Sequence, residues 1–296
     1  MLHELSSTPV MGVSLGGVSL LRLDQTGGPA FGNKFFKLQE YFCEAKRQGV
    51  SRLVSFGGVW SNHLHALAAV GADLGIETVG LVRGAGDCSE TAMLMDVRRC
   101  GMQVVPVSRE EYRHRNDADY QRRILSRFAP CLLIPEGGAA VLGARGCKAI
   151  ANHIQQRSNR AKRIVLPVGT GTTLAGVAAG LDESYALWGI SALKGAMDLE
   201  VQVDALLRDL APEHCARWRI LHEYHCGGFA RTHESLCDFI LAFEAIHGIQ
   251  LEPVYTGKMM YAVHQLRKSG EWSADLPLLA IHTGGLQGRR GYSWLG

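Results

Sequence analysis

Two hydrophobic periods alternate along this chain. Phe35, Leu38, Phe42 and Ala45 share one face of a helix that Gly49 ends. Leu53-Val54-Ser55-Phe56 follows as a buried strand, and Ser61 caps a helix running to Leu74 and closed by Gly75. Thr78 to Val82 predicts a strand, a helix starts at Ser89 with Glu90 in its first turn, and Gln103 to Val107 predicts another strand. One long amphipathic helix comes next, then a strand from Cys131 to Ile134. The second half repeats the scheme: a helix over 141–157, strand Arg163 to Leu166, a helix from Thr172 and a strand over 186–192. Helices over 232–247 and 256–268 precede a last strand, Leu276 to Ile281.

Such alternation predicts an α/β protein of parallel sheets covered by helices on both faces. Ligands of these sheets bind at the carboxyl ends of strands. Glycine is the informative excess, at 35 of 296 residues. Its pairs, Gly57-Gly58, Gly137-Gly138 and Gly284-Gly285, and the Gly169-x-Gly171 pair all fall at predicted strand ends. Several loops are therefore expected to converge on one site.

Charge and cysteine narrow the class. A net charge of +3 is too small to argue for nucleic acid, and the basic knot from Arg109 to Arg127 also holds Glu110, Glu111, Asp117 and Asp119. The N-terminus, Met1-Leu2-His3-Glu4, lacks the basic-then-apolar order of a signal peptide, and the longest apolar stretch, Pro167 to Leu181, is 15 residues. Neither membrane insertion nor secretion is expected. Eight scattered cysteines without a C-x-x-C pair point to reduced, mostly buried thiols in a cytoplasmic protein, with no metal site.

Four segments carry candidate chemistry. Gly32-Asn33-Lys34-Phe35-Phe36-Lys37-Leu38 places Lys34 at the mouth of a helix, after a loop containing Gly27-Gly28-Pro29. A partly desolvated lysine there is a nucleophile; a solvated one is a surface residue. Phe56-Gly57-Gly58-Val59-Trp60-Ser61-Asn62-His63 opens a helix after a strand. Ser61 either caps only or also faces a ligand with Asn62, and His63 reads as the partner of a backbone carbonyl. Gly169-Thr170-Gly171-Thr172-Thr173 offers amides and hydroxyls to one anion at a helix N-terminus. It is not a Walker loop, and Leu174 stands where a dinucleotide fingerprint needs glycine. The fourth set is Glu252-Pro253-Val254-Tyr255-Thr256-Gly257-Lys258 with His282-Thr283-Gly284-Gly285.

Together and in this order, the four segments resemble the fold-type II pyridoxal-phosphate enzymes, and more narrowly the 1-aminocyclopropane-1-carboxylate deaminase / D-cysteine desulfhydrase family. The resemblance runs from about Arg22 to Tyr292. It implies a two-domain, tryptophan synthase beta-like fold, with residues 1–36 and 141–296 in a large domain and 37–140 inserted as a small one. It implies pyridoxal 5'-phosphate as cofactor, held covalently by Lys34. Asn62 would bond the cofactor's 3-hydroxyl, Gly169 to Thr173 its phosphate, and Thr256 would face its ring nitrogen. Ser61, Asn62 and His63 would take the substrate carboxylate. Tyr255 would lie beside the reacting carbons, with Phe229 and Thr283 also lining the substrate. A homodimer is implied as well.

The substrate follows by the same route. The deaminase branch carries Glu and Leu where this chain has Thr256 and Thr283, so the chain looks like the desulfhydrase branch. A threonine gives the ring nitrogen no negative charge, which favours prompt loss of a β leaving group. The expected reaction is β-elimination of D-cysteine, with Lys34 moving the α-proton. 1-Aminocyclopropane-1-carboxylate, D-serine and other β-substituted alanines are the rival substrates; a phosphate-binding protein without catalysis is the rival class. Four positions depart from the family: Phe229 stands for a tyrosine, Ala139 and Ala140 for Ser-Asn, and Trp60 is bulkier than usual.

Overall fold

The structure, a computed structural model, describes residues 2–28, 30–86, 90–157, 161–213, 215–273 and 276–295. In chain order the elements are β1 (Leu2–Glu4), β2 (Val18–Arg22), α1 (Asn33–Gln48), β3 (Arg52–Gly58), α2 (Asn62–Leu74), β4 (Glu77–Arg83), α3 (Ala92–Arg99) and β5 (Gln103–Val107). Then come α4 (Arg109–Arg113), α5 (Ala118–Phe128), β6 (Leu132–Ile134), α6 (Val141–Arg157), β7 (Arg163–Val168), α7 (Thr172–Ala179) and β8 (Ala186–Ser191). The chain closes with α8 (Leu199–Leu210), β9 (Arg217–Leu221), α9 (Glu234–His247), α10 (Thr256–Lys268) and β10 (Leu278–His282).

The chain divides into two compact units. The first, 1–26 with 147–286, holds a six-stranded sheet in the order β1-β2-β10-β7-β8-β9. Only the β1–β2 pair is antiparallel. Every residue of β10 is buried, as expected for a central parallel strand covered on both faces.

The second unit, 27–146 with 287–296, holds the parallel sheet β5-β4-β3-β6. Side-chain alternation splits its core in two. Leu53 and Val82 point to the cluster made with Leu38, Tyr41, Leu64 and Leu67 of α1 and α2. Val54, Phe56, Val79 and Leu81 point the other way, to Tyr112, Tyr120, Ile124 and Phe128 of α4 and α5. Phe56 meets Tyr112 edge to face, with ring centroids 6.2 Å apart. Each such buried side chain contributes about 1.5–3 kcal/mol.

The α/β class with parallel sheets covered by helices stands, but several expectations shift. The domain cuts expected after 36 and 140 fall after 26 and 146, and the last ten residues join the second unit. A cut at 36 would have severed α1, whose backbone ladder runs unbroken from Asn33. The helix expected from Ser89 starts at Ala92, where Thr91 accepts from the Leu94 N–H at 3.2 Å. Pro29, Cys88 and Ser89 themselves lie outside the described residues. The long helix expected after Val107 is broken over 114–117, where the Asp117 backbone is extended. The cysteines are not mostly buried: of the seven described, only Cys147 and Cys226 are. Among the described residues no helix is long and apolar enough to cross a membrane.

Candidate active site

In the second unit, candidate residues gather at the start of α1 and the end of β3. Gly32 precedes α1 without a side-chain cap, and half-buried Lys34 sits in the first turn, where the helix macrodipole disfavours a cation. Its Nζ donates to Asn33 Oδ1 at 3.2 Å. Lys37, three residues on and so on the same face, is buried and donates to the Gly137 carbonyl at 3.1 Å.

The β3–α2 turn depends on Gly57. A Cβ there would lie 2.6 Å from Ser61 Oγ and 2.7 Å from Leu64 Cδ1. The bare backbone lets Ser61 close over the helix end, its Oγ accepting from the Leu64 N–H at 3.2 Å. The hydroxyl hydrogen of Ser61 is left to donate elsewhere. Asn62 Oδ1 accepts from Gln287 Nε2 at 2.5 Å, which also donates to the Trp60 carbonyl at 3.2 Å. With its oxygen taken in this way, Asn62 has its NH2 group to offer as a donor. The indole of Trp60 packs on the backbone of Gly291, 3.1 Å from where a Cβ would stand.

His63 is buried and its partner is a hydroxyl, not the backbone carbonyl expected from sequence. Nε2 lies 2.9 Å from Ser55 Oγ. Burial lowers its pKa to about 3, and the positive charges of Lys34 and then Lys37 push the same way.

In the first unit, the candidates stand on the loops after β7, β9 and β10 and at the start of α10. The turn after β7 enters α7 through Gly171, whose φ of +72° is left-handed. A Cβ at 171 would also lie 2.6 Å from Val203 Cγ2. Unlike α2, α7 has no side-chain cap. Thr170 and Thr172 bond each other through Oγ1 at 2.9 Å. The Tyr255 ring lies against Gly169, where a Cβ would be 3.1 Å from Cε1. This is a turn of small residues at a helix N-terminus, and it suits a phosphate dianion.

The start of α10 is capped from outside. Buried Glu252 accepts the N–H groups of Val254, Tyr255 and Thr256 at 2.8, 2.7 and 2.6 Å. Burial pushes its carboxyl above the ordinary range, against the pull of those amides and of His282. Thr256 is fully buried and its Oγ1 accepts from the Glu252 N–H at 3.0 Å. His282 ends β10, with Nδ1 3.1 Å from Asp24 Oδ1 and Nε2 donating to the Gln250 carbonyl at 2.8 Å. It anchors the strand just ahead of buried Thr283.

The loop after β9 is wound tightly: Cys226, Gly227, Gly228 and Ala230 have φ of 50°, 90°, 112° and 56°. Buried Lys258 holds it, Nζ donating to the Gly228 carbonyl at 2.6 Å. The loop presents Phe229, 53% exposed, edge-on to Tyr255 at 6.2 Å.

Lys34, Ser61, Asn62 and His63 thus fall in the second unit, while Gly169 to Thr173, Phe229, Tyr255, Thr256 and Thr283 fall in the first. Sequence reading gave no role to Ser55, Lys37, Glu252, Lys258 or Gln287. Only Lys37 and the Glu252–Lys258 segment carried a signal, as neighbours of candidate residues.

A family model described as "Pyridoxal-phosphate dependent enzyme" matches residues 5–284. The D-cysteine desulfhydrase of Serratia proteamaculans (strain 568) is 29% identical over 284 residues, 90% of this chain and 86% of the relative. That of Salmonella newport (strain SL254) is 28% identical over 270 residues, 86% of this chain and 82% of the relative. Among solved structures, an ACC deaminase homologue matches with a TM-score of 0.85 and 25% identity, over 99% of this chain and 91% of that one. The processed form of threonine deaminase isoform 2 from Solanum lycopersicum shares the fold at a TM-score of 0.65 and 15% identity, over 90% of this chain and 74% of that one. With a lysine at a helix mouth and a glycine-threonine turn suited to phosphate, the chain is an enzyme that belongs to the pyridoxal-phosphate dependent family.

Proposed function

We propose that this enzyme catalyses β-elimination on a small amino acid, with D-cysteine as substrate: D-cysteine and water give pyruvate, ammonia and hydrogen sulfide. The observation that carries this reading is the similarity to D-cysteine desulfhydrases over nine-tenths of the chain. The threonines at 256 and 283 support it.

When bound, pyridoxal phosphate supplies an electron sink for the α-carbon. The chain's own residues do the rest. Lys34 would hold the cofactor through Nζ, and the same amine would move the substrate's α-proton. The turn from Gly169 to Thr173 binds the phosphate through backbone amides and the Thr170, Thr172 and Thr173 hydroxyls. Asn62, oriented by Gln287, donates its amide N–H to the 3-oxygen. Ser61 keeps its hydroxyl hydrogen for the substrate carboxylate. Thr256, whose oxygen already accepts from Glu252, stands at the ring nitrogen without bringing a charge to it. Tyr255, Phe229 and Thr283 line the side-chain end of the substrate. A cytoplasmic homodimer is part of this reading, and sedimentation at two chain masses is the expected result.

A second substrate reading, 1-aminocyclopropane-1-carboxylate, is favoured by the likeness to the ACC deaminase homologue. Purified enzyme offered D-cysteine, L-cysteine, D-serine and 1-aminocyclopropane-1-carboxylate in parallel decides between them. Sulfide and pyruvate from D-cysteine are expected. A 2-oxo acid from the cyclopropane substrate alone would replace this reading with the second. Lys34→Ala is expected to abolish turnover with an unchanged circular dichroism spectrum, and sulfide release by that variant would overturn Lys34 as the cofactor's lysine.

A further inference from the structure

The hydrogen bonds around His63 fix more than its position. Ser55 Oγ has one hydrogen, and it donates that hydrogen to the Ile134 carbonyl at 2.8 Å. The contact of Ser55 Oγ with His63 Nε2 at 2.9 Å must then run the other way, with Nε2–H donating. In a neutral imidazole the proton at Nε2 leaves Nδ1 as an unshared pair. Nδ1 is buried and has no hydrogen-bond partner among the described residues. A buried acceptor without a donor costs about 1–3 kcal/mol, so it is expected to gain a partner when ligand binds.

The surroundings limit what that partner is. The charges acting on His63 are Lys34 first and Lys37 second, both from α1, and the ring's Cε1 lies 3.7 Å from where a Cβ on Gly138 would stand. Among the described residues no carboxylate is a cause of its lowered pKa. A lone pair repels a substrate carboxylate, so the carboxylate role expected for His63 does not suit this tautomer. It attracts an N–H. An amino acid in place of Lys34 would bring its own nitrogen to the position whose charge acts on His63.

We propose that His63 is a fixed-tautomer hydrogen-bond acceptor whose Nδ1 receives an N–H of the substrate amine, and that Ser55 is the positioning residue that fixes the tautomer. The carboxylate is then left to Ser61 and Asn62. This rests on the reading of the chain as an amino-acid enzyme with Lys34 at its centre, and it goes beyond that reading in giving the amine its own acceptor.

The test is a long-range 1H–15N correlation spectrum of the holoenzyme labelled with 15N-histidine, with the His63 signals identified by their loss in His63→Gln. A protonated Nε2 and a bare Nδ1, unchanged between pH 6 and pH 8, are expected without any ligand. A protonated Nδ1 or a doubly protonated ring overturns the proposal at once. D-alanine, which has no β leaving group, is then added, with propionate as a carboxylate lacking the amine. D-alanine is expected to move the Nδ1 signal toward that of a hydrogen-bonded nitrogen; propionate is not. A change in the cofactor's absorbance on adding D-alanine without a shift at Nδ1 overturns the amine contact, as does an equal shift with propionate. No absorbance change with D-alanine overturns the functional reading and the amine contact with it, while the tautomer is judged from the ligand-free spectrum alone. Ser55→Ala is expected to mix the two tautomers and to weaken D-alanine binding about tenfold, with Ser55→Thr restoring both. A Ser55→Ala protein with a single Nε2–H tautomer removes Ser55 from this role.

Discussion

The β3–α2 and β7–α7 turns are built from the same parts. Each follows a buried parallel strand, passes through glycine and opens a helix. In the second unit Ser61 spends its oxygen on the Leu64 amide, and the helix end is capped before any ligand arrives. In the first unit Gly171 stands where Ser61 does and brings no side-chain cap to the helix end. The capped turn suits a role in which side chains meet the ligand, and the uncapped one a role in which the backbone does. One supersecondary unit therefore serves two chemistries, according to whether the residue before the helix carries an oxygen.

Breaking the uncapped turn should have the largest effect. Gly171→Val forces a β-branched residue into left-handed backbone and against Val203. Together these cost about 3 kcal/mol or more. A fall in the urea midpoint and loss of pyridoxal phosphate on gel filtration are expected; a variant that keeps both would show that the turn does not need its glycine.

Acid should discriminate next, because the first turn carries no ionisable group over 169–173 and the second carries His63. In the unfolded chain a histidine takes a proton below pH 6.5, and the buried ring does so only near 3. The folded state thus binds fewer protons in that window. Stability from this group is full above pH 6.5 and declines as pH falls, by at most about 1.4 kcal/mol per pH unit. Urea unfolding at several pH values should show a shallower slope in His63→Gln than in the parent chain.

Ser61→Ala removes a cap and should cost about 1 kcal/mol. Ser61→Asp keeps an oxygen for the Leu64 amide and should leave stability within about 0.5 kcal/mol of the parent, while repelling the substrate carboxylate and raising KM for D-cysteine. If Ser61→Asp instead leaves KM unchanged, Ser61 is a cap and nothing more.

Much of this architecture was legible in the sequence because the signals are local. The Ser61 cap, the left-handed Gly49 and Gly75 and the apolar run of β7 each depend on residues a few positions apart. The miss at α8 is instructive: Leu199, Val203 and Leu207 keep helical spacing and are its buried residues, but an exposed Val201 blurs the stripe. β9 escaped because its apolar residues alternate with Arg217 and Arg219 on a short edge strand. The glycine-marked loops on which the candidate residues stand are legible by the same local signals. Their supports are not, since Gln287 reaches back to Asn62 and His282 to Asp24 across most of the chain. No periodicity encodes a partner so distant.

The strand order of the first sheet has a consequence for how this protein is made. β10, the last of these strands in chain order, is not an edge: it sits between β2 and β7, with Ala280 beside Leu20 and Val165. The second sheet uses strands synthesised one after another and can assemble while translation continues. The first must hold a central gap until β10 has been made, and that non-local closure is slow. Nascent chains stopped before Leu278 should therefore yield a protease-resistant fragment from the second unit and none from the first. A stop codon ahead of β10 removes a middle plank, not a fringe.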